Sequence, residues 1–351
     1  MKKTLSFILT LIMVIGVLTG CSGTPIIYHD DCTCPDANNS AGGETDFVPT
    51  EGSLKTGLAI VTSIKGSENA KHADYDVTLV AVTVDDNGVI QDCIIDSIGT
   101  KVTFDATGAI TSDLNADILS KNELGYDYGM KQYAGSKYEW FEQAEALANY
   151  AVGKTVDELK NGAIDETGKA PAGSDLASTA TIYLGGYVSA IETAVNNAKH
   201  LGAQSGDELR LAAIPKINSS ASATAEKAGT AQLDVDVTAV TVKDEKITSC
   251  YIDSLQAKVS FDAAGTITTD LTTPVKTKNE LGYDYNMKTY GGAKYEWFEQ
   301  AASFAKYVIG KTAAEVAGIA VSEGKPSDTD LSSSVTISIG GFQALIVKVM
   351  K

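Results

Sequence analysis

Hydrophobic and polar positions near the start of the chain follow a β-type pattern. Residues 75–84 are rich in β-branched residues that nearly alternate with polar ones, and the turn Asp85-Asp-Asn-Gly88 leads into a second apolar run at 89–95. This arrangement predicts an antiparallel hairpin. A second hairpin is predicted for residues 101–111, with its turn at Asp105-Ala-Thr-Gly108.

Further along, the spacing of apolar residues becomes helical. Between residues 138 and 152 the apolar positions recur every three or four residues, whereas Glu139, Glu142 and Glu145 are expected on other faces. This spacing predicts an amphipathic helix. A closing helix is predicted at 187–199, after Gly185-Gly186. The apolar positions of the first helix are Trp140, Phe141, Ala144, Leu147, Ala148 and Ala151.

Both patterns occur twice. Lys121-Asn-Glu-Leu-Gly-Tyr-Asp-Tyr128 returns from Lys278, and Lys137-Tyr-Glu-Trp-Phe-Glu-Gln143 returns unchanged at 294–300, which is 157 residues later. A repeat of that length suits a whole domain. The sequence therefore predicts an α+β fold in two tandem copies, each an antiparallel sheet with packed helices, with domain 1 at 54–203 and domain 2 at 204–351.

The N-terminus has the features of an export signal. Basic residues at the start precede an apolar run at 5–18, and Leu18-Thr-Gly-Cys21 resembles a bacterial lipobox. We expect residues 1–20 to be removed and Cys21 to be lipidated, with plain secretion as the alternative. Residues 21–53, poor in apolar side chains, are expected to form a flexible tether. The mature protein would then lie on the extracellular face of the cell membrane, held by its lipid.

Charge limits the classes of partner. The 351 residues include 45 acidic and 28 basic side chains, which gives a net charge of −17. Nucleic acid is therefore not expected as a partner. Arg210 is the only arginine, so a site that grips free phosphate through arginine forks in both copies is excluded.

Catalytic and metal chemistry find little support. None of the three histidines, His29 in the tether, His72 in a predicted loop and His200 at the domain junction, recurs in the other copy. A duplicated nucleophile with a histidine base is therefore not expected. The carboxylates that do recur predict no metal site, and Cys93 and Cys250 are expected to be core residues. Cys32 and Cys34 lie in the tether, where pairing stays open; the recurring carboxylates are Glu123, Asp127, Glu280 and Asp284.

One recurring segment contains hydroxyl groups in a recognisable order. Asp175-Leu-Ala-Ser178-Thr-Ala-Thr181 and Asp330-Leu-Ser-Ser333-Ser-Val-Thr336 resemble the D-x-x-[ST]-[GS]-A-T motif of the FMN-binding domain family. In that family a flavin transferase of the ApbE type joins FMN through its phosphate to the final Thr. With the lipobox and the duplication, essentially the whole mature chain resembles the PplA-type lipoproteins of Gram-positive bacteria, which carry two such flavins.

The resemblance implies site residues in each copy. Thr181 and Thr336 would carry covalent FMN, and Asp175 with Ser178, and Asp330 with Ser333, would form the motif that the transferase recognises. Two departures are Thr179, where the family has Gly or Ser, and Val335, where it has Ala. Ordinary strand positions are the alternative interpretation of these Thr residues.

A flavin ring needs apolar or aromatic surface beside it. The candidates recur in both copies, and for the tryptophans a place in the helix core is the alternative. They are Tyr126, Tyr128, Met130 and Trp140 in the first copy and Tyr283, Tyr285, Met287 and Trp297 in the second.

By resemblance, the chain is expected to be an electron carrier without substrate turnover of its own. Its donor would be a quinol or NADH dehydrogenase system in the membrane, and its acceptor ferric iron or another extracellular oxidant. Two alternatives stay open: a non-redox surface protein that binds a ligand or adheres, and a precursor that releases a pheromone from its signal peptide.

Overall fold

The computed structural model describes residues 47–351. The predicted signal segment 1–20, the lipidation site Cys21, and Cys32 and Cys34 lie outside the described residues, as does most of the predicted tether. Within the part that is described, no helix has both the length and the apolar character needed to cross a bilayer.

The first half of the described chain contains four strands and six helices. They are β1 (Ser53–Ser63), β2 (His72–Val84), β3 (Ile90–Thr103), α1 (Lys121–Leu124), α2 (Met130–Ala134), α3 (Trp140–Ala151), α4 (Val156–Ala163), α5 (Asp175–Thr179), α6 (Gly185–Asn196) and β4 (Lys199–Gln204).

The second half repeats most of this order. Its elements are β5 (Glu208–Lys216), β6 (Gly229–Lys243), β7 (Lys246–Phe261), α7 (Lys278–Leu281), α8 (Met287–Gly291), α9 (Trp297–Tyr307), α10 (Ala313–Ala317), β8 (Val321–Ser322), β9 (Lys325–Pro326), α11 (Thr329–Ser332) and α12 (Gly340–Val349). A 3₁₀ turn precedes α2 at Gly125–Tyr128 and α8 at Gly282–Tyr285.

The strands form antiparallel sheets. The first sheet has the order β3-β2-β1-β4, the second has the order β5-β6-β7, and β8 pairs with β9. The predicted α+β class, with antiparallel sheets and helices, is confirmed.

Strand side chains alternate between two buried environments. In β2, Val77, Leu79 and Ala81 face an inner core, whereas Val80 and Val82 face an outer core under α3 and α6. Successive side chains of a strand point to opposite faces. Because both faces of these strands are covered, their sequence is mainly apolar throughout instead of strictly alternating.

The inner core is built from both copies. The inner faces of β1, β2 and β3 pack together with those of β5, β6 and β7 in a single cluster of buried residues. The Phe104 and Phe261 rings, which occupy equivalent positions, stack with their centroids 4.0 Å apart. The buried Tyr75 hydroxyl donates a hydrogen bond of 2.8 Å to the Ala231 carbonyl, and burial raises the pKa of this phenol above its ordinary value. Each copy thus completes the core of the other.

Three local predictions were wrong. The chain does not break between residues 95 and 101, because β3 continues through them in ladder with β2. The predicted second hairpin is present in short form: at its turn the Asp105 N–H donates to the Ala109 carbonyl at 3.0 Å, and Phe104 bridges Ile110. His72 lies in β2 and is only 4% exposed, instead of in a loop. Glu139 is buried as well, although its spacing indicated a polar face.

The two repeated cysteines are free and buried, as predicted. Burial raises the pKa of Cys250 to about 12 and raises the pKa of Cys93 in the same direction. Both thiols therefore stay protonated at neutral pH and behave as small apolar core groups.

Candidate functional site

The Ser/Thr-rich motif forms a short helix that is followed by an irregular segment. Asp175 lies in the first turn of α5, Ser174 accepts from the Ala177 N–H at its N-terminus, and the Ser178 hydroxyl donates to the Asp175 carbonyl at 2.7 Å. After α5 the chain has no regular secondary structure and pairs with no described strand. The interpretation of Thr181 as an ordinary strand position is therefore wrong. Thr181 is exposed.

The second copy builds the same segment. The Ser333 hydroxyl donates to the Asp330 carbonyl at 2.8 Å, and Thr336 lies half-buried after α11. Val335, the departure from the motif, is fully buried in the outer core of the second copy, where Ala180 lies in the first. Its extra methyl groups are therefore accommodated inside the protein. In the first copy, the other departure, Thr179, turns its hydroxyl onto the Leu176 carbonyl.

A buried glutamine of the long helix holds each threonine. The Gln143 Oε1 atom accepts from the Thr181 N–H at 2.8 Å, from the Thr181 hydroxyl at 3.1 Å and from the Ile182 N–H at 3.2 Å. In the second copy, Gln300 Oε1 accepts from the Thr336 N–H at 2.8 Å and from its hydroxyl at 3.2 Å. Both glutamines are completely buried. The position of each threonine is therefore set by α3 or α9.

The other end of each glutamine reaches the loop that contains the repeated Tyr-Asp-Tyr sequence. Gln143 Nε2 donates to the Tyr138 carbonyl at 3.1 Å and lies 3.3 Å from Met130 Sδ. Gln300 Nε2 donates to the Tyr295 carbonyl at 2.9 Å and lies 3.5 Å from Met287 Sδ. Among the predicted site residues, Met130 and Thr181 therefore contact the same glutamine, Gln143. In the second copy, Met287 and Thr336 both contact Gln300.

A buried glutamate anchors the N-terminus of α2, which follows the Tyr-Asp-Tyr sequence. The Glu139 carboxylate, 4% exposed, accepts from the Met130 N–H at 2.7 Å and from the Lys131 N–H at 3.3 Å. Glu296 makes the matching bonds to Met287 and Lys288. Hydrogen bonds from several N–H groups offset the free-energy cost of burying a carboxylate.

We expect Glu139→Ala to destabilise the protein by about 2 kcal/mol, because the first two N–H groups of α2 lose their acceptor and a cavity is left behind. Chemical denaturation followed by circular dichroism measures the change. Glu145→Ala, at an exposed position of the same helix, is the control and should stay within about 0.5 kcal/mol of the parent protein. Equal effects of the two substitutions would contradict the anchoring role.

The aromatic candidates surround a lysine. Lys121 Nζ lies 5.3 Å from the centre of the Tyr128 ring and 5.0 Å from that of Trp140. Lys278 lies in the same way between Tyr285 and Trp297, at 5.3 and 4.9 Å. Both indoles are buried, so they expose little ring surface to solvent. Trp140 begins α3, one turn before Gln143.

The first tyrosine of each Tyr-Asp-Tyr sequence is open to solvent. Tyr126 is 69% exposed and meets the Phe141 ring edge-on at 5.2 Å. Tyr283 meets Phe298 in the same geometry and at the same distance. These rings therefore offer accessible aromatic surface near the loop in both copies.

The copies differ beside the tryptophan. The Trp140 indole N–H donates to the Tyr187 hydroxyl at 3.0 Å, and burial raises the pKa of this tyrosine. In the second copy Phe342 packs edge-on against Trp297 instead. The two sites are therefore similar in geometry and different in polarity.

A groove of about 660 Å³ lies beside the first motif, between α3 and α5. It is lined by side chains of both helices, with the motif residues Asp175 and Ser178 at one wall and tyrosines at the other. Its remaining lining includes Tyr138, Glu142, Glu145, Asn149, Tyr150 and Thr179. The motif is therefore accessible from outside the folded protein.

No family model, curated protein or solved structure matches this chain. Metal chemistry also receives no geometric support from residues 47–351, where no three His, Cys, Asp or Glu side chains are grouped so as to hold an ion. The proposals below therefore depend on the geometry of the chain and on the sequence resemblance.

Sequence reasoning did not assign a role to the glutamine, glutamate and lysine residues that organise the site. Each of them lies within the repeated segments, and that repetition was the available signal. They are Gln143, Glu139 and Lys121, with Gln300, Glu296 and Lys278 as their counterparts.

Proposed function

We propose that this chain carries two covalently bound FMN groups, on Thr181 and Thr336, and relays electrons at the outer surface of a cell. One observation carries the proposal: in both copies the threonine that ends the motif has its backbone N–H and its hydroxyl held by the same buried glutamine oxygen, while Thr181 stays exposed and Thr336 stays half-buried. The two copies of the α+β unit would then be two tandem FMN-binding domains.

The residues around each threonine fit a phosphoester. Lys137 Nζ lies 3.5 Å from the Ser178 carbonyl, and Lys294 Nζ lies 3.4 Å from that of Ser333. Each motif therefore has an exposed cation that can approach a phosphate, which this arginine-poor chain needs. A covalent link also prevents loss of the group by dilution outside a cell.

The residues near each motif also fit a flavin ring. Exposed Tyr126 and half-buried Tyr128 and Met130 supply aromatic and polarisable surface in the first copy, and Tyr283, Tyr285 and Met287 supply it in the second. When bound, FMN supplies reversible electron transfer. The lysines beside each motif would position the phosphate, and the buried core would keep water from the inner side of the site. Groups such as Tyr187 would set the local polarity.

The rest of the proposal concerns place and partners. A lipid on Cys21 would hold the protein at the extracellular face of the cell membrane, and a flavin transferase would load both sites. Electrons would arrive from a quinol or NADH dehydrogenase system and leave to an acceptor such as ferric iron. The chain itself would turn over no substrate.

Intact mass and visible absorbance of protein produced with a flavin transferase test the proposal. We expect two FMN-sized mass increments in the parent protein, one in Thr181→Val, one in Thr336→Val and none in the double variant. Both substitutions keep the shape of the side chain and remove only the hydroxyl. If the parent protein gains no increment, the flavin proposal fails and a non-redox binding or adhesive protein becomes the better interpretation.

A further inference from the structure

The two glutamines hold the acceptor hydroxyls in a defined direction. Gln143 Nε2 faces the Tyr138 carbonyl, which can only accept, so the amide oxygen must be the atom that faces Thr181. A glutamine oxygen has no proton to donate. The Thr181 hydroxyl therefore donates its proton toward Gln143, and its lone pairs lie on the sides away from the glutamine.

The same oxygen also fixes the main chain. Because Gln143 Oε1 accepts from the Thr181 N–H at 2.8 Å as well as from the hydroxyl at 3.1 Å, the side chain cannot rotate away without breaking a bond. The glutamine is itself completely buried and held at its other end. The exposed hydroxyl is thus held by an immobile support.

We infer that Gln143 and Gln300 are positioning residues for phosphoryl transfer to Thr181 and Thr336, an inference that rests on the proposed function. The co-reactant is a flavin nucleotide whose phosphate is activated as a phosphoanhydride. A bond forms between Thr181 Oγ1 and the phosphorus of the flavin nucleotide, the phosphoanhydride bond to that phosphorus breaks, and the second phosphate of the anhydride leaves with the group attached to it. As the bond forms, the O–H bond turns from Gln143 and its proton passes to a base of the transferase, because a neutral amide oxygen does not hold a proton at neutral pH; the oxygen itself stays in place, since the Thr181 N–H still binds Gln143.

The product also fits the glutamine. Once Oγ1 is esterified it has no proton to donate, but Gln143 Oε1 keeps the N–H groups of Thr181 and Ile182. No buried polar atom is left without a partner, so the modified state costs little at this position. Gln300 keeps the Thr336 N–H in the same way.

Gln143→Leu tests the inference, because the second copy provides a control within the same molecule. We measure the initial rate of flavin incorporation at each threonine by mass spectrometry of the two peptides. The rate at Thr181 is expected to fall at least about tenfold, through kcat with little change in KM, since orientation is lost while the docking surface remains. The rate at Thr336 should stay within about twofold. Gln300→Leu should give the reverse pattern.

Two further measurements separate positioning from folding. Ser136→Ala removes a contact at the donor end of Gln143 and should leave both rates unchanged; the second copy already has Ala293 there. In flavin-free protein, hydrogen exchange of the Thr181 amide should become at least about tenfold faster in Gln143→Leu. If that variant does not fold, Gln143→Asn, which keeps an amide but shortens its reach, replaces it.

The outcomes are distinguishable. If Thr181 is modified in a folded Gln143 variant at a rate within about twofold of the parent, the inference is overturned while the proposed function stands. If the parent protein takes no flavin at either threonine, the proposed function fails, and the inference falls with it.

Discussion

Residues 47–206, expressed without the rest of the chain, are expected not to fold as a monomer. The inner faces of β1, β2 and β3 would lose β5, β6 and β7, against which they pack. Phe104 would lose the stacked ring of Phe261, and Tyr75 would lose its acceptor at Ala231. Loss of half a core removes far more than the roughly 5–15 kcal/mol by which an ordinary domain is stable.

Circular dichroism and amide exchange of the fragment measure this effect, with residues 47–351 as the folded control. Co-expression of 47–206 with 207–351 should restore the folded state, because the two pieces together contain the complete inner core. A fragment that is monomeric and melts cooperatively on its own would show that each copy is an independent domain, contrary to this expectation.

Stability is expected to fall as pH rises from about 4 to about 7, because of one buried carboxyl group. Burial raises the pKa of Asp253 from 3.8 to about 7, although N–H groups of Ser254 and Asn279 donate to it. Below about pH 4 the group is protonated in both the folded and the unfolded state. Between about pH 4 and pH 7 the folded state binds the proton more tightly, so each increase in pH favours unfolding, and above about pH 7 the loss is complete.

The difference between the two pKa values corresponds to on the order of 4 kcal/mol. Because other groups titrate in the same range, the quantity to measure is the free energy of unfolding of the parent protein relative to Asp253→Asn, from pH 4 to pH 8. This difference should shift against the parent between about pH 4 and pH 7 and then level off. Asp284→Asn, at an exposed position, is the control and should give a flat difference. A flat difference for Asp253→Asn would overturn the prediction.

The long strands could be predicted because both of their faces are buried. Runs such as 75–84 are apolar enough to be recognised whatever they pack against. Because both faces are apolar, the sequence does not indicate which element packs against each face. It therefore does not show that Val77 and Val237 share one core. Strands β1 and β5 were not predicted, because Gly57 interrupts the first and Pro215 lies near the end of the second.

Helix α4 was missed although its signal is present. Thr155 and Glu158 form a capping box at its N-terminus, and Thr312 with Glu315 form another at α10. Both helices are short, so they contain too few residues for a helical spacing of apolar positions to be recognised. Local capping chemistry would have located them.

The candidate site could be predicted only in part. The motif predicted Thr181 and Thr336 because its residues are close in sequence, and both residues lie in irregular segments that pair with no described strand. The roles of Gln143 and Glu139 depend on contacts with residues 38 and 9 positions away. In sequence they look like polar residues of an amphipathic helix, so only the fold reveals what they hold.

The shared inner core also has an evolutionary consequence. A deletion that removed either copy would expose the inner face of the other, so the duplicated chain has no simple route back to a single-copy protein. The outer core of each copy is its own and carries no such constraint, and there the copies already differ, with Tyr187 packed against one and Phe342 buried in the other. Duplication has therefore made stability a joint property of the two halves and has left the two sites free to specialise.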